Sequence, residues 1–264
     1  MINVRLSGGL GNQLFQIVCA LRYSGNNPNK ISIYINGLKQ YKVPREYELS
    51  KVLKLEFTLT NTFSSFILKY RLAKILKTNC LVINDKNYYL DLIIEKPKLK
   101  FLDGYFQYEQ TWEIMAPSVD FIKSKLNKKF STVKTGGLVV HARGGDFLDD
   151  RASHAHQMKF YEQVLSGSKM PEFKTGVLCC SDPNYASQII DYFDGKGISL
   201  SYKPKNDDDW QEDFRILMNA GFILGSRSTF AWWASLLGEV DSIFPIDFTI
   251  GRARVLFHPW ERAQ

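Results

Sequence analysis

The stretch Leu138-Val139-Val140-His141-Ala142-Arg143-Gly144-Gly145-Asp146 decides the fold. Three apolar residues run into a His, an Arg and an Asp separated by small residues. Such a run reads as a buried strand that delivers a cation and a carboxylate to the loop at its C-terminal end. In open α/β sheets that edge is where ligands bind. Ala142, Gly144 and Gly145 let a ligand approach the backbone closely. A structural ion pair is the other use of Arg143 and Asp146.

Two more segments repeat the order apolar strand, small or polar loop, helix. One is Ile2 to Leu6, then Ser7-Gly8-Gly9-Leu10-Gly11-Asn12 and a helical run through Leu21. The other is Gly176 to Cys180, then Ser181-Asp182-Pro183-Asn184 and a helical run from Tyr185 to Phe193. Phe222-Ile223-Leu224-Gly225 and Ser242-Ile243-Phe244-Pro245 are further strand candidates. Ser228 and Thr229 are placed to cap the helix after the first of these. Repetition of this unit predicts an α/β fold with parallel strands. Lys123 to Gly137 is rich in Lys, Ser and Thr and ends in Gly-Gly, which reads as a link. The expected domains are therefore 1–136 and 137–264.

The 264 residues are 45% hydrophobic, enough for either one core or two. A net charge of +7 and pI near 9.1 favour anionic partners: nucleotide phosphates, nucleic acid or an anionic membrane face. The charge is spread along the chain, with no dense Lys/Arg block, zinc-finger spacing or aromatic RNA-binding motif. Nucleic acid is therefore not expected. Cys19, Cys80, Cys179 and Cys180 show no metal-ligand spacing and read as buried reduced thiols. No stretch has the pattern of a signal peptide or reaches the ~18 apolar residues of a membrane span. A cytoplasmic protein, or a catalytic fragment cut from its anchor, is expected. Ser64 to Lys77 has a stripe of Leu68, Leu72, Ile75 and Leu76, with Arg71, Lys74 and Lys77 on another face. It suits a membrane-surface contact or a helix packed on its own domain.

Several chemistries find no support. Gly9-Leu10-Gly11 lacks the third Gly of a dinucleotide fingerprint, because position 14 is Leu. A Gly-rich loop feeding a helix still suits an anion or hydroxyl. Asp207-Asp208-Asp209 matches an Asp-x-Asp metal pattern, but it follows Lys203-Pro204-Lys205-Asn206 rather than an apolar strand. It reads as a solvated loop. His154 and His156 have no third ligand nearby in sequence. There is no Gly-x-Ser-x-Gly, P-loop or kinase set.

The order of motifs carries more than any one of them. Ser7-Gly8-Gly9-Leu10-Gly11-Asn12-Gln13-Leu14-Phe15-Gln16 opens the chain, and Gly104-Tyr105-Phe106-Gln107 follows. Then come His141-Ala-Arg143-Gly-Gly-Asp146, Cys180-Ser181-Asp182, Asp213-Phe-Arg-Ile-Leu217-Met218 and Ser226-Arg-Ser-Thr229-Phe-Ala-Trp232-Trp233. This series resembles the bacterial α-1,2-fucosyltransferases of glycosyltransferase family 11, over nearly the whole chain. The resemblance implies a GT-B fold, two Rossmann-like parallel-sheet domains facing a cleft. It implies a hexosyltransferase that moves L-fucose from GDP-β-L-fucose to a galactose 2-hydroxyl with inversion, without a metal or other cofactor. The acceptor would be a galactose-containing glycan, expected to be lipid-linked and destined for a surface polysaccharide.

The resemblance puts the donor nucleotide on the C-terminal half, at His141, Arg143, Ser181, Asp182, Asp213, Arg227, Ser228, Thr229 and Phe230. The acceptor side would involve Gly9, Gly11, Asn12, Gln13, Phe106 and Gln107. Arg143 suits the charge that develops on the leaving β-phosphate, because its planar fork matches phosphate oxygens. Asp146 and His156 are the candidates for general base. His141 suits a buttressing hydrogen bond, and Trp232 and Trp233 suit helix packing. Two positions depart from the family pattern: Gly144 stands where a second Arg is usual, and Arg227 where an Asn is usual. Arg227 would replace the missing charge, or the donor would be another nucleotide-activated deoxysugar; a non-catalytic glycan- or nucleotide-binding homologue is the third alternative, which the retained Arg143, Asp146, Ser228 and Thr229 argue against. On the first reading, Gly144→Arg should partly rescue Arg227→Ala.

Overall fold

The computed structural model describes residues 1–39, 44–60, 80–83, 99–107, 112–130, 133–144, 151–167, 170–204, 210–245, 249–250 and 253–254. The 64–77 segment, Gly145, Asp146 and Asp207 to Asp209 lie outside them. The chain forms two compact units, Met1–Lys128 and Lys129–Gln264.

The first unit is a five-stranded sheet in the order β3-β2-β1-β5-β4. Its strands are β1 (Ile2–Arg5), β2 (Ile31–Tyr34), β3 (Thr58–Thr60), β4 (Cys80–Ile83) and β5 (Leu99–Leu102). All pair in parallel. Helix α1 (Leu10–Ser24) follows β1, and Gly25, in the left-handed region at φ 67°, ends it. Helix α2 (Trp112–Ser124) packs against α1.

The second unit repeats the plan. Strands β6 (Leu138–Ala142), β7 (Thr175–Cys180), β8 (Ser199–Tyr202), β9 (Phe222–Leu224) and β10 (Asp241–Ile243) lie in the order β10-β9-β6-β7-β8. They too are parallel. The helices are α3 (Arg151–Ser166), α4 (Pro183–Asp194), α5 (Trp210–Met218) and α6 (Thr229–Gly238). Every residue of β6 is buried, as the continuous apolar run of a central parallel strand requires. Trp232 and Trp233 are both fully buried, their rings edge to face at 5.3 Å. Packing therefore accounts for both.

These are the parallel α/β units expected of the GT-B class. The five strand candidates of the sequence are β1, β6, β7, β9 and β10. The link expected over 123–137 carries a core residue of the second unit: Phe130 is 1% exposed and meets Phe214 edge to face at 5.8 Å. Among the described residues no helix is long and apolar enough to cross a membrane. Cys19, Cys179 and Cys180 are buried thiols that form no disulfide.

In each unit the strand order reverses beside its first strand, between β1 and β5 and between β6 and β9. There the loops leave the carboxyl edge in opposite directions and a crevice opens. The first unit closes its crevice with amides. Gln16, fully buried on α1, accepts from Ser7 N–H at 3.1 Å and donates to Ser7 Oγ at 3.0 Å and Gly104 O at 3.1 Å. One side chain thus joins the loop after β1 to the loop after β5. Gln16→Leu keeps the volume and strands all three partners. Urea unfolding should show a loss of about 3 kcal/mol with unchanged m-value.

Candidate functional site

At the reversal point of the second unit, strand ends and loops converge. His141 is 9% exposed, and its Nδ1 is 2.7 Å from Ser226 Oγ in the loop after β9. From the other side, the Tyr161 hydroxyl on α3 donates to the His141 carbonyl at 2.7 Å. Two residues on, Arg143 Nη1 donates to the Arg227 carbonyl at 3.0 Å. His141 and Arg143 thus each hydrogen-bond to the β9 loop, His141 through its ring and Arg143 through its guanidinium.

The β9 loop runs straight into α6. Ser228 is the N-cap residue, in extended conformation, and its Oγ accepts from Ala231 N–H at 3.5 Å. Thr229 opens the helix, so half-buried Arg227 and Thr229 flank a helix N-terminus. Its first-turn N–H groups and the aligned peptide dipoles favour a negative charge there. Phe230 packs the first turn against its surroundings: its ring lies 6.2 Å from His141, 5.1 Å from Phe214 and 6.5 Å from Trp210. Asp213, on the same helix α5 as Phe214 and Trp210, is half-buried.

On the other flank, Asp182 caps α4 by accepting from Tyr185 N–H at 3.0 Å, with Pro183 in the first turn. Gly144 lies against this cap. A Cβ at position 144 would stand 2.6 Å from Asp182 Cβ and 3.3 Å from Asp182 N. Glycine there is a packing requirement of the two loops. That corrects the expectation for Gly144→Arg: the arginine would push the α4 cap aside before supplying any charge, so a rescue of Arg227→Ala does not follow. Ser181, beside Asp182, is exposed, and so is His156 on α3. The other base candidate, Asp146, lies outside the described residues.

The acceptor-side candidates gather at the edge of the first unit, mostly as buried framework. Gln13 is fully buried and donates to Gly8 O at 3.1 Å and Glu46 O at 2.8 Å, while accepting from Glu48 N–H at 3.0 Å. Gln107 Nε2 donates to Asn12 Oδ1 at 2.9 Å. Phe106 is buried at φ 55°. Gly9 and half-buried Asn12 begin α1, and Gly11 is buried. Gly8 sits at φ 78°, where any Cβ would collide with Asn12.

Glu48 had no sequence pattern to reveal it. The Leu10 N–H, at the first residue of α1, helps to hold its charge. The helix N-terminus of this Gly-rich loop therefore already faces a carboxylate, which opposes a phosphate and suits hydroxyl groups. Burial pushes the Glu48 carboxyl above its ordinary value, against the pull of Arg45, the Leu10 N–H and Lys51. Tyr161 was equally hidden, because it matters only through a partner distant in sequence; Ser226 opens a motif, but its pairing with His141 was not visible there. Among the described residues, no three His, Cys, Asp or Glu side chains gather as metal ligands.

No family model matches the chain. It is 22% identical over 282 residues to an alpha-1,2-colitosyltransferase of Escherichia coli, covering 91% of this chain and 89% of that protein. Among solved structures, the α-1,6-fucosyltransferase NodZ soaked with GDP-fucose superposes with a TM-score of 0.51 at 14% identity, over 89% of this chain and 92% of that one. POFUT1 in complex with GDP-fucose gives a TM-score of 0.49 at 11% identity, over 94% and 98%. The likeness to NodZ is one of fold.

The raised Glu48 carboxyl sets a sign for stability. A carboxyl lifted by folding favours the folded state when protonated, and that advantage is lost as pH rises from the unfolded value through the raised folded value. Glu48→Gln mimics the protonated form and keeps the size of the side chain. Its melting temperature should exceed the wild type's at pH 7, and the gap should close on acidification below pH ~4. Thermal melts across that range check this.

Proposed function

We propose that this chain is an inverting glycosyltransferase that moves L-fucose from GDP-β-L-fucose to the 2-hydroxyl of a galactoside. The observation that carries the reading is the place of Arg143. It lies at the carboxyl end of the central strand, hydrogen-bonded to the Arg227 carbonyl just before the Ser228-capped N-terminus of α6. A guanidinium and a helix N-terminus at one reversal point suit a diphosphate. The colitosyltransferase relative, similar along most of both chains, supports sugar transfer and the 1,2-linkage.

Transfer breaks the bond between the anomeric carbon and the β-phosphate oxygen, leaving charge on GDP. Arg143 meets that charge with hydrogen bonds that strengthen as it develops. The α6 N-terminus and the Ser228 and Thr229 hydroxyls add to them. The Arg227 side chain supplies a second positive charge on the same loop. The acceptor 2-hydroxyl attacks from the opposite face and gives up its proton to Asp146 or His156. No metal is needed in this scheme. The acceptor is a galactose-containing glycan, with a lipid-linked one suited to the net charge of +7.

A second reading has a specific support. The relative's name is that of a colitosyltransferase, so a different GDP-deoxysugar, colitose, is the alternative donor. Gly144 and Arg227 are where a changed donor site would show.

The deciding assay offers GDP-fucose and GDP-colitose with galactoside acceptors, in excess chelator, and reads product linkage. Transfer of either sugar to the 2-hydroxyl supports the reading, and the preferred donor separates its two forms. Loss of activity that Mg²⁺ restores would overturn the metal-free scheme. Arg143→Ala should lower kcat about 10²-fold or more, and Arg143→Lys nearly as much, because lysine lacks the fork. Arg227→Ala keeps the carbonyl that anchors Arg143, so any weakening of GDP binding reports the Arg227 side chain alone.

A further inference from the structure

We infer that Tyr161 is a positioning residue for Arg143, acting through the backbone of β6; this rests on the proposed sugar transfer. Tyr161 sits on the third turn of α3, fully buried, packed edge to face on Phe193 at 5.6 Å and against Phe160 at 5.7 Å. Its hydroxyl is the middle of a short relay. Gln157, one turn earlier on α3 and 3% exposed, donates its Nε2 to the Tyr161 oxygen at 3.0 Å. Tyr161 in turn donates to the His141 carbonyl at 2.7 Å. The hydroxyl thus uses its one proton on the strand and takes one from the helix.

What this bond fixes follows from its place. It joins residues twenty apart in sequence and spans the connection that leaves β6 through Arg143 and Gly144 and enters α3 at Arg151. His141 is pinned at its carbonyl by Tyr161 and at its ring by Ser226. Only Ala142 separates that pinned residue from Arg143. The tilt of the last strand peptides therefore sets where the guanidinium emerges. A reacting group displaced by about 1 Å loses on the order of 10²-fold in rate. Burial also raises the Tyr161 hydroxyl well above its ordinary pKa, so the donor stays protonated across the working range.

The general alternative is a core tyrosine that contributes to stability alone. Tyr161→Phe keeps the ring and removes only the hydroxyl, and the two roles then part. Positioning predicts kcat about tenfold or more below wild type, the donor KM within about twofold, and a pH–rate profile of unchanged shape. It further predicts dependence on Arg143: in the Arg143→Ala background, Tyr161→Phe should cost no further rate. Gln157→Met leaves the Tyr161–His141 bond in place and should lose less than Tyr161→Phe. Steady-state kinetics on the folded fraction, with GDP titrations of all four proteins of the cycle, read these outcomes. Wild-type kcat in Tyr161→Phe, or additive losses in the double variant, would overturn the inference while leaving the transferase reading intact. A wild-type protein that neither binds GDP nor transfers a sugar from it would overturn both.

Discussion

The carboxyl end of β6 emerges where the strand order reverses, and the structure of the second unit depends on how that end is held. Pairing with β9 stops at Val140 and Leu224. Beyond it the sheet's own ladder no longer fixes the chain on that side, and side chains take over. Ser226 holds the His141 ring, Tyr161 holds the His141 carbonyl, and the Arg227 carbonyl holds Arg143. Gly144 closes the other side by lying directly on the Asp182 cap. These contacts fix where the Arg143 side chain leaves the strand before any ligand arrives.

The two units answer one topological problem with opposite electrostatics. In the first, α1 begins with glycines and no side-chain cap, and the Leu10 N–H helps to hold the charge of the Glu48 carboxylate. In the second, α6 begins with a small hydroxyl cap, and both flanking loops carry an arginine. A helix N-terminus already facing a carboxylate repels an anion; one flanked by guanidinium groups attracts it. The same α/β plan thus produces one edge suited to neutral hydroxyls and one suited to phosphates.

The amide side chains of α1 show how polar residues serve a buried position. Gln13 and Gln16 are both fully buried, and each satisfies backbone groups of loops that could not pair with one another. A helix face of leucines would pack as well but would leave those loop groups orphaned. The motif residues of the opening decapeptide therefore include two whose work is to shape the loop from beneath.

Much of this was legible in the sequence, for identifiable reasons. Continuous apolar runs ending in small or polar residues marked β1, β6, β7, β9 and β10, because central parallel strands are buried on both faces. Strands β2 to β5 and β8 were hidden: in Ile31-Ser32-Ile33-Tyr34 and Ser199-Leu200-Ser201-Tyr202, for example, serines break the continuous apolar run that marked the others. Helix α3 was hidden by its polar composition, its buried face reduced to Gln157, Tyr161 and partly buried neighbours. Local order by itself placed His141, Arg143, Arg227 and Ser228 at loop edges, since strand-to-loop transitions are written in neighbouring residues. Which of them meet was decided only by the tertiary fold. The pairing of β6 with β9 brings together residues more than eighty positions apart, and no local pattern encodes that Ser226 faces His141, that Tyr161 reaches its carbonyl, or that Asp182 leaves room at 144 for glycine alone.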